Sequence, residues 1–215
     1  MKKIVFLIMT VVAFCSCSNK EKYTIEGFVK DSNYENVKLV IQQIANNQIV
    51  AVDTVTIKSG KFSFKGDMDS VVIKNVFSPD TSSLTPFVFI VEKGTVTIEI
   101  ADNVAKIGGT PLNDKLQAFN DKFMSNTKKG RDLVAEYTKK QDAGTAVEQD
   151  ETGLREALAE LAKENTAMMV AFAKENIDNI LGEYCFMSYY FRVDSQTREE
   201  MNSFVTPRIK ALLNI

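Results

Sequence analysis

The chain contains no histidine, and that absence removes more chemistry than any residue present supplies. Without imidazole there is no Ser-His-Asp or Cys-His nucleophile pair, no His-ligated zinc and no facial-triad iron. Any catalysis would rest on carboxylates, Lys, Tyr or a thiol. Cysteine is nearly as scarce: Cys15, Cys17 and Cys185 are the only three, and no Cys-x-x-Cys pair is available for thioredoxin-like exchange. Tryptophan is absent too. The longest apolar run, Ile4 to Phe14, is about eleven residues, against the roughly 20 that a bilayer-spanning helix needs. There is no surplus of positive charge either. Of 26 basic residues, Lys2 and Lys3 belong to the leader, leaving 24 against 28 acidic, a net of −4, which argues against nucleic acid as a partner.

What is present begins with that leader. Lys2 and Lys3 form a basic head, Ile4 to Phe14 an apolar middle, and Cys15-Ser16-Cys17 then gives way to polar Ser18-Asn19-Lys20-Glu21. This pattern reads as a cleavable export signal over residues 1–16. Small Ser16 directly before Cys17 resembles the lipobox of bacterial lipoproteins, which implies cleavage between Ser16 and Cys17 and a diacylglyceryl group on the Cys17 sulfur. Cys15 is the rival acceptor, but bulky Phe14 before it fits the cleavage site less well. The expected anchor is therefore lipid at Cys17, followed by a short tether over 17–22, with the protein held on the outer membrane of a cell envelope. Ser18-Asn19-Lys20-Glu21-Lys22 is not an acidic surface-export tract, which points to the periplasmic face. After cleavage, Cys185 is the only thiol outside the anchor, so no intramolecular disulfide is expected.

The remaining residues, about 199, suffice for one large domain or two small ones with an apolar core. Their pattern changes near residue 108. Before it, short alternating or fully apolar runs stand between turn residues: 23–30, 37–44, 48–57, 61–66, 70–77, 87–92, 95–101 and 104–107. Val50/Val52 and Val55/Ile57 are out of phase across Asp53-Thr54, which implies a bulge or a switch in the face presented. Gly60 and Gly94 sit where hairpins need positive φ, so the strands are expected to pair mainly with sequence neighbours. Residues 78–86 read as an exposed loop. After Thr110-Pro111, a helix start in which Thr110 would cap the free amides, the spacing becomes helical. Leu112, Leu116, Phe119 and Phe123 share one face, and Leu154, Leu158, Leu161, Asn165, Met168 and Phe172 share another. An apolar aromatic segment spans 177–193, Ser195 is placed to cap a further helix, and Thr206-Pro207 interrupts or restarts it. The expected fold is α+β, an antiparallel β-sandwich of about eight short strands over 23–108 followed by a helical region, 109–215, packed on it. Phe119, Phe123, Phe172, Tyr184, Phe186 and Phe191 exceed what the helices need to cover one another, so the sheet is expected to receive them, with any groove for a ligand or partner along the seam.

The order of several short motifs is familiar. Ile25-Glu26-Gly27-Phe28, Asp53-Thr54-Val55, Gly60-Lys61-Phe62-Ser63-Phe64-Lys65-Gly66, Phe89-Ile90-Val91-Glu92-Lys93-Gly94 and Gly109-Thr110-Pro111-Leu112-Asn113 together resemble a β-rich domain of unknown function from Bacteroidota-type lipoproteins. In that family the domain and a following helical segment precede a thioredoxin-like domain of the peroxiredoxin or thiol-disulfide oxidoreductase kind. Phe172-Ala173-Lys174-Glu175-Asn176 through Tyr184 is similar to the family's helical connector. The sequence reaches Ile215 without the Cys-x-x-Cys that carries the family's redox chemistry, so the resemblance transfers no catalytic residue and only the lipidated cysteine, onto Cys17.

Other candidates have plain structural explanations. Cys185, in Glu183-Tyr184-Cys185-Phe186-Met187, reads as a small buried hydrophobe rather than a reactive thiol. Gly108-Gly109-Thr110-Pro111 reads as a tight strand-to-helix turn rather than a phosphate site. Asp67/Asp69 and Asp142/Glu148/Asp150/Glu151 read as solvated turns rather than calcium loops, and Glu99 as the water-facing residue of an alternating strand. Asn165, on an apolar helical stripe, is expected to bond a neighbouring helix of the same chain rather than to set coiled-coil register. The expected sites are thus lipidation at Cys17 and cleavage at Ser16/Cys17, with no catalytic, metal-binding or cofactor-binding residue. The expected function is a non-catalytic envelope lipoprotein that binds or assembles with a protein partner or small ligand. The alternative is an accessory module for a separate thioredoxin-like thiol-disulfide oxidoreductase.

Overall fold

The computed structural model describes residues 21–45 and 48–215. Ser16 and Cys17, the expected cleavage and lipidation residues, lie outside the described residues. Eight strands come first: β1 (Glu21–Val29), β2 (Lys38–Ala45), β3 (Gln48–Thr56), β4 (Lys61–Met68), β5 (Val72–Phe77), β6 (Phe87–Val91), β7 (Gly94–Ala101) and β8 (Val104–Gly108). Five helices follow: α1 (Pro111–Asp142), α2 (Glu148–Glu175), α3 (Ile180–Tyr189), α4 (Ser195–Asn202) and α5 (Pro207–Leu213). The α+β class and the change of pattern near residue 108 are as the sequence implies.

Strand pairing is less local than expected. The sheets run β4-β1-β7-β8 and β3-β2-β5-β6, so β2–β3, β5–β6 and β7–β8 pair as neighbours, while β1 joins β4 and β7, and β2 joins β5. The β1–β7 pair is parallel, Ile25 opposite Val96, in an otherwise antiparallel arrangement. Gly60 (φ +67°) and Gly94 (φ +123°) take the positive φ expected of them, but they stand at the junctions of β3 with β4 and of β6 with β7, strands of different sheets. They therefore turn the chain from one sheet to the other instead of closing hairpins, and two facing sheets bury their apolar faces only if the chain crosses between them. The bulge falls beside Asp53. Register against β2 passes from Ile41↔Asp53 to Gln42↔Ala51, leaving Val52 unopposed.

Between the sheets lies the first core, built from alternating inward residues such as Ile25, Leu39, Ile41, Phe62, Phe64, Phe89, Val96, Ile98 and Ile100. The loop over 78–86 is not wholly exposed. Leu84 is buried in this core, and the Asp80 carboxylate accepts from the Lys38 N–H at 2.8 Å, so the segment plugs the sandwich instead of trailing in solvent.

A second core forms on the outer face of the other sheet. Ile90 lies with Leu116, Phe119, Met169, Phe172, Ala173, Leu181, Phe186 and Met201, and Ile73 and Val88 pack against them. β6 is therefore apolar on both faces, Phe89 and Val91 inward and Val88 and Ile90 toward the helices, which is why Phe87-Val88-Phe89-Ile90-Val91 carries no alternation. The helical aromatics dock as expected with one exception: Phe191 is 62% exposed. Helix termini also follow their local chemistry. The Asp194 side chain, rather than Ser195, accepts from Thr197 N–H to open α4, and Thr206 accepts from Ile209 N–H to restart the chain as α5.

Candidate functional site

The sheet and the helices are joined by a buried polar clasp. Asn113, on the first turn of α1, faces the free edge of β6, where its carboxamide oxygen accepts from Ile90 N–H at 2.8 Å and its nitrogen donates to the Ile90 carbonyl at 2.8 Å. This imitates one rung of a β-ladder and closes an edge that would otherwise be open. The same nitrogen lies 2.8 Å from Thr110 Oγ1 and 3.3 Å from Glu92 Oε1. Thr110 was expected to cap the helix, but its side chain makes no capping bond. Glu92 takes that role from the end of β6, accepting from Leu112 N–H at 2.9 Å and Asn113 N–H at 3.2 Å. A carboxylate there suits both the free amides and the positive end of the helix.

The opposite edge is treated likewise. Gln117, one turn further along α1, accepts from the Ile107 N–H of β8 at 2.8 Å, and Asp114 accepts from Gly109 N–H at 2.8 Å. Gly109 is required in this turn: its φ is +89°, and a Cβ would stand 2.6 Å from the Thr95 carbonyl oxygen. The Gly109, Leu112 and Asn113 amides are thus taken by the protein's own carboxylates, in keeping with a strand-to-helix turn.

Along this seam runs an open groove of about 560 Å³, lined by Phe28, Glu99, Lys106, Asp114, Gln117 and Asp121 among others. It lies between the sheet and α1 on the β7–β8 side. Phe28, 45% exposed, and Ala118 are among its lining residues. Its charged rim is largely self-paired. Glu99 forms an ion pair with Lys30, and this hydrogen-bonded partner, more than charge alone, holds its carboxyl below the usual range. Gln117 donates to Asp121 at 2.9 Å.

Cys185 is fully buried in the second core, and burial pushes its thiol up to about 12. Thiolate chemistry at neutral pH is therefore closed to it. Asn165 finds a neighbour within the chain, accepting from Asn126 Nδ2 on α1 at 3.1 Å. Asp150 is engaged by Lys140 Nζ at 2.7 Å and by Val147 N–H at 3.0 Å, and Glu151 by Arg155 at 2.7 Å. Among the described residues no group of three or more acidic or cysteine side chains is arranged to hold a metal ion. The seam clasp went unanticipated in sequence. Asn113 was visible only as part of a motif, and its partner lies 23 residues earlier, a separation that periodicity does not encode.

Residues 23–116 match a family model described as a domain of unknown function, DUF4369. The match takes in all the strand pairing partners from Tyr23 onward and stops within the first turns of α1, so Glu92, Thr110 and Asn113 all lie inside it. No curated protein matches the chain.

Proposed function

We propose that this protein is a lipid-anchored, non-catalytic module of the cell envelope, held on the periplasmic face of the outer membrane through Cys17 and binding or assembling with a protein partner. The observation that carries the reading is the Ser16-Cys17 junction behind a basic head and a short apolar run. The fold fits it. β1 opens at Glu21, so three residues lie between the acylated cysteine and the first strand, a reach of at most about 14 Å over the four Cα–Cα steps, and the sandwich would sit against the bilayer surface. The burial of Cys185 supports a role without thiol turnover at that residue. Among the described residues every buried side-chain polar atom has a partner within the chain, so the protein offers binding surfaces in open grooves rather than an interior pocket awaiting a polar ligand.

Metabolic labelling with a fatty-acid probe tests the anchor. Cys17→Ser should lose the label and leave the uncleaved or soluble form, whereas Cys15→Ser should keep it. Label retained by the Cys17 variant and lost from the Cys15 variant would overturn the assignment.

A further inference from the structure

The distal half of the α1–α2 hairpin forms a second groove, separate from the seam. Beyond Asn126, α1 contributes no fully buried residue, and α2 contributes none before Met169, so the two helices cover only one stripe of each other. On one side of that stripe lies a depression of about 540 Å³ lined by Lys129, Asp132, Leu133, Glu136, Ala157, Glu160 and Leu161. Its floor is apolar: Leu133, Ala157 and Leu161 are each half-buried. Its rim is acidic. Asp132 is paired with Lys128 at 2.6 Å, and Lys129 turns its amine to Asn126 at 3.2 Å, whereas Glu136 and Glu160 are exposed, Glu136 acting on Lys140 through its charge without a direct ion pair among the described residues.

We propose that this groove docks a cationic amphipathic helix of a partner protein, whose apolar stripe covers Leu133, Ala157 and Leu161 while its flanking lysines or arginines meet Glu136 and Glu160. A third helix is the shape that completes a two-helix groove, since ridges at helical spacing fill the depression between antiparallel neighbours. Charge decides between occupants. A second copy docked face to face would set the acidic rim against itself, which is repulsive, whereas a basic helix is complementary in both charge and apolar pattern. Placement is consistent with a partner in the periplasm. The turn before α1 stands at Thr95, Gln117 at Ile107, and Asp121 beside Glu99 and Lys106, so α1 runs in the same sense as β1 and β7, and the hairpin extends away from the Glu21 end. This deepens the proposed binding role and rests on it only for the location of the encounter.

The test uses the chain from residue 18 onward, which contains every described element, and a dye-labelled synthetic helix of about 16 residues, long enough to span the roughly 24 Å of distal hairpin. A peptide with a leucine stripe flanked by lysines should raise the anisotropy on binding, with affinity falling as salt is added. Its counterpart with glutamates for lysines, and one with alanines for leucines, should each bind about 10-fold more weakly or worse. The exposed double change Glu136→Lys/Glu160→Lys should cost at least about 10-fold for the leucine–lysine peptide while circular dichroism stays unchanged. Equal binding by the double variant, equal binding of the glutamate peptide, or self-association of the protein through Leu161 would each overturn the proposal. No membrane is needed, so failure here leaves the lipid anchor standing, and failure of fatty-acid labelling leaves the groove standing.

Discussion

The two halves of α1 differ in composition and do different work: residues 111–126 carry Leu112, Leu116, Phe119 and Phe123, whereas residues 127–142 carry five basic residues and no phenylalanine. Residues 111–126 place Asn113, Leu116, Phe119 and Asn126 in buried positions against β6, β8 and the later helices, while residues 127–142 place none. The helix runs about 48 Å at 1.5 Å per residue, and only its first half is needed to close the sheet. Stability is therefore concentrated where the sheet edges meet α1, and the remainder is held by half-buried contacts with α2, ion pairs and intrinsic helix propensity. A fold gains little from such an extension. A binding surface gains reach, and its residues are free to vary without unfolding the body that carries them.

The strongest way to break this contrast is to delete one large side chain from each half. Phe119 stacks on Phe172 with ring centroids 4.4 Å apart and also meets Phe123. Phe119→Ala should cost about 3–5 kcal/mol of unfolding free energy. Leu133→Ala, in the distal half and already half exposed, should cost about 1 kcal/mol. Urea denaturation followed by circular dichroism measures both. Equal losses would mean that the distal hairpin is as much a part of the cooperative core as the seam.

A smaller and sharper comparison sets the two carboxamides against each other. Asn113→Ala strips the Ile90 N–H and carbonyl of their partners in a fully buried place, so a loss of about 2–4 kcal/mol is expected from two orphaned backbone groups at 1–3 kcal/mol each, partly relieved by water entry. Asn165→Ala removes one bond to Asn126 at a half-exposed seam, and about 0.5–1.5 kcal/mol is expected. If both changes cost the same, Asn113 is not the rung that closes β6.

How much of this was readable in advance follows from the range of the interactions. The eight strands, the bulge beside Asp53 and the start of α1 at Pro111 depend on residues close together in sequence, and composition and spacing display them; for Asn165, spacing displays only an amide on an apolar stripe, and its partner Asn126 lies 39 positions away. The parallel β1–β7 pair, Glu92 as the cap of α1, and Leu84 as a plug in a polar loop depend on partners 20 to 70 positions away along the chain, where no local pattern points. The same limit applies to the grooves. A seam groove was expected because sheet and helices had to meet, but the distal groove arises from where α2 leaves α1 uncovered, and the stripe Leu154–Leu158–Leu161 looks identical whether a third helix lies over it or water does.

The smallest effect lies at the hairpin tip, where protons set the balance. Asp150 accepts from Lys140 Nζ and from Val147 N–H, the latter closing the first turn of α2. Hydrogen bonding to Lys140, then to the Val147 backbone, holds its carboxyl below the ordinary 3.8, and the same partner raises Lys140 above its ordinary 10.5. A carboxyl lowered in the folded state stabilises fully above its unfolded value, and that contribution is lost as pH falls through the lowered one, below 3.8. The raised amine works in the other direction, stabilising below 10.5 and losing its contribution as pH rises through its folded value. Both groups are partly exposed, the Lys140 side chain 44% and the Asp150 side chain 23%, and they lie at the hairpin tip, so the consequence is local fraying rather than unfolding. Circular dichroism between pH 5 and 2.5 should show a slight acid-induced loss of helix, and Asp150→Asn should remove most of that loss while leaving the denaturation midpoint at pH 7 nearly unchanged. A variant that shifted the midpoint as far as Phe119→Ala does would place the tip inside the cooperative core and erase the distinction between the two halves of α1.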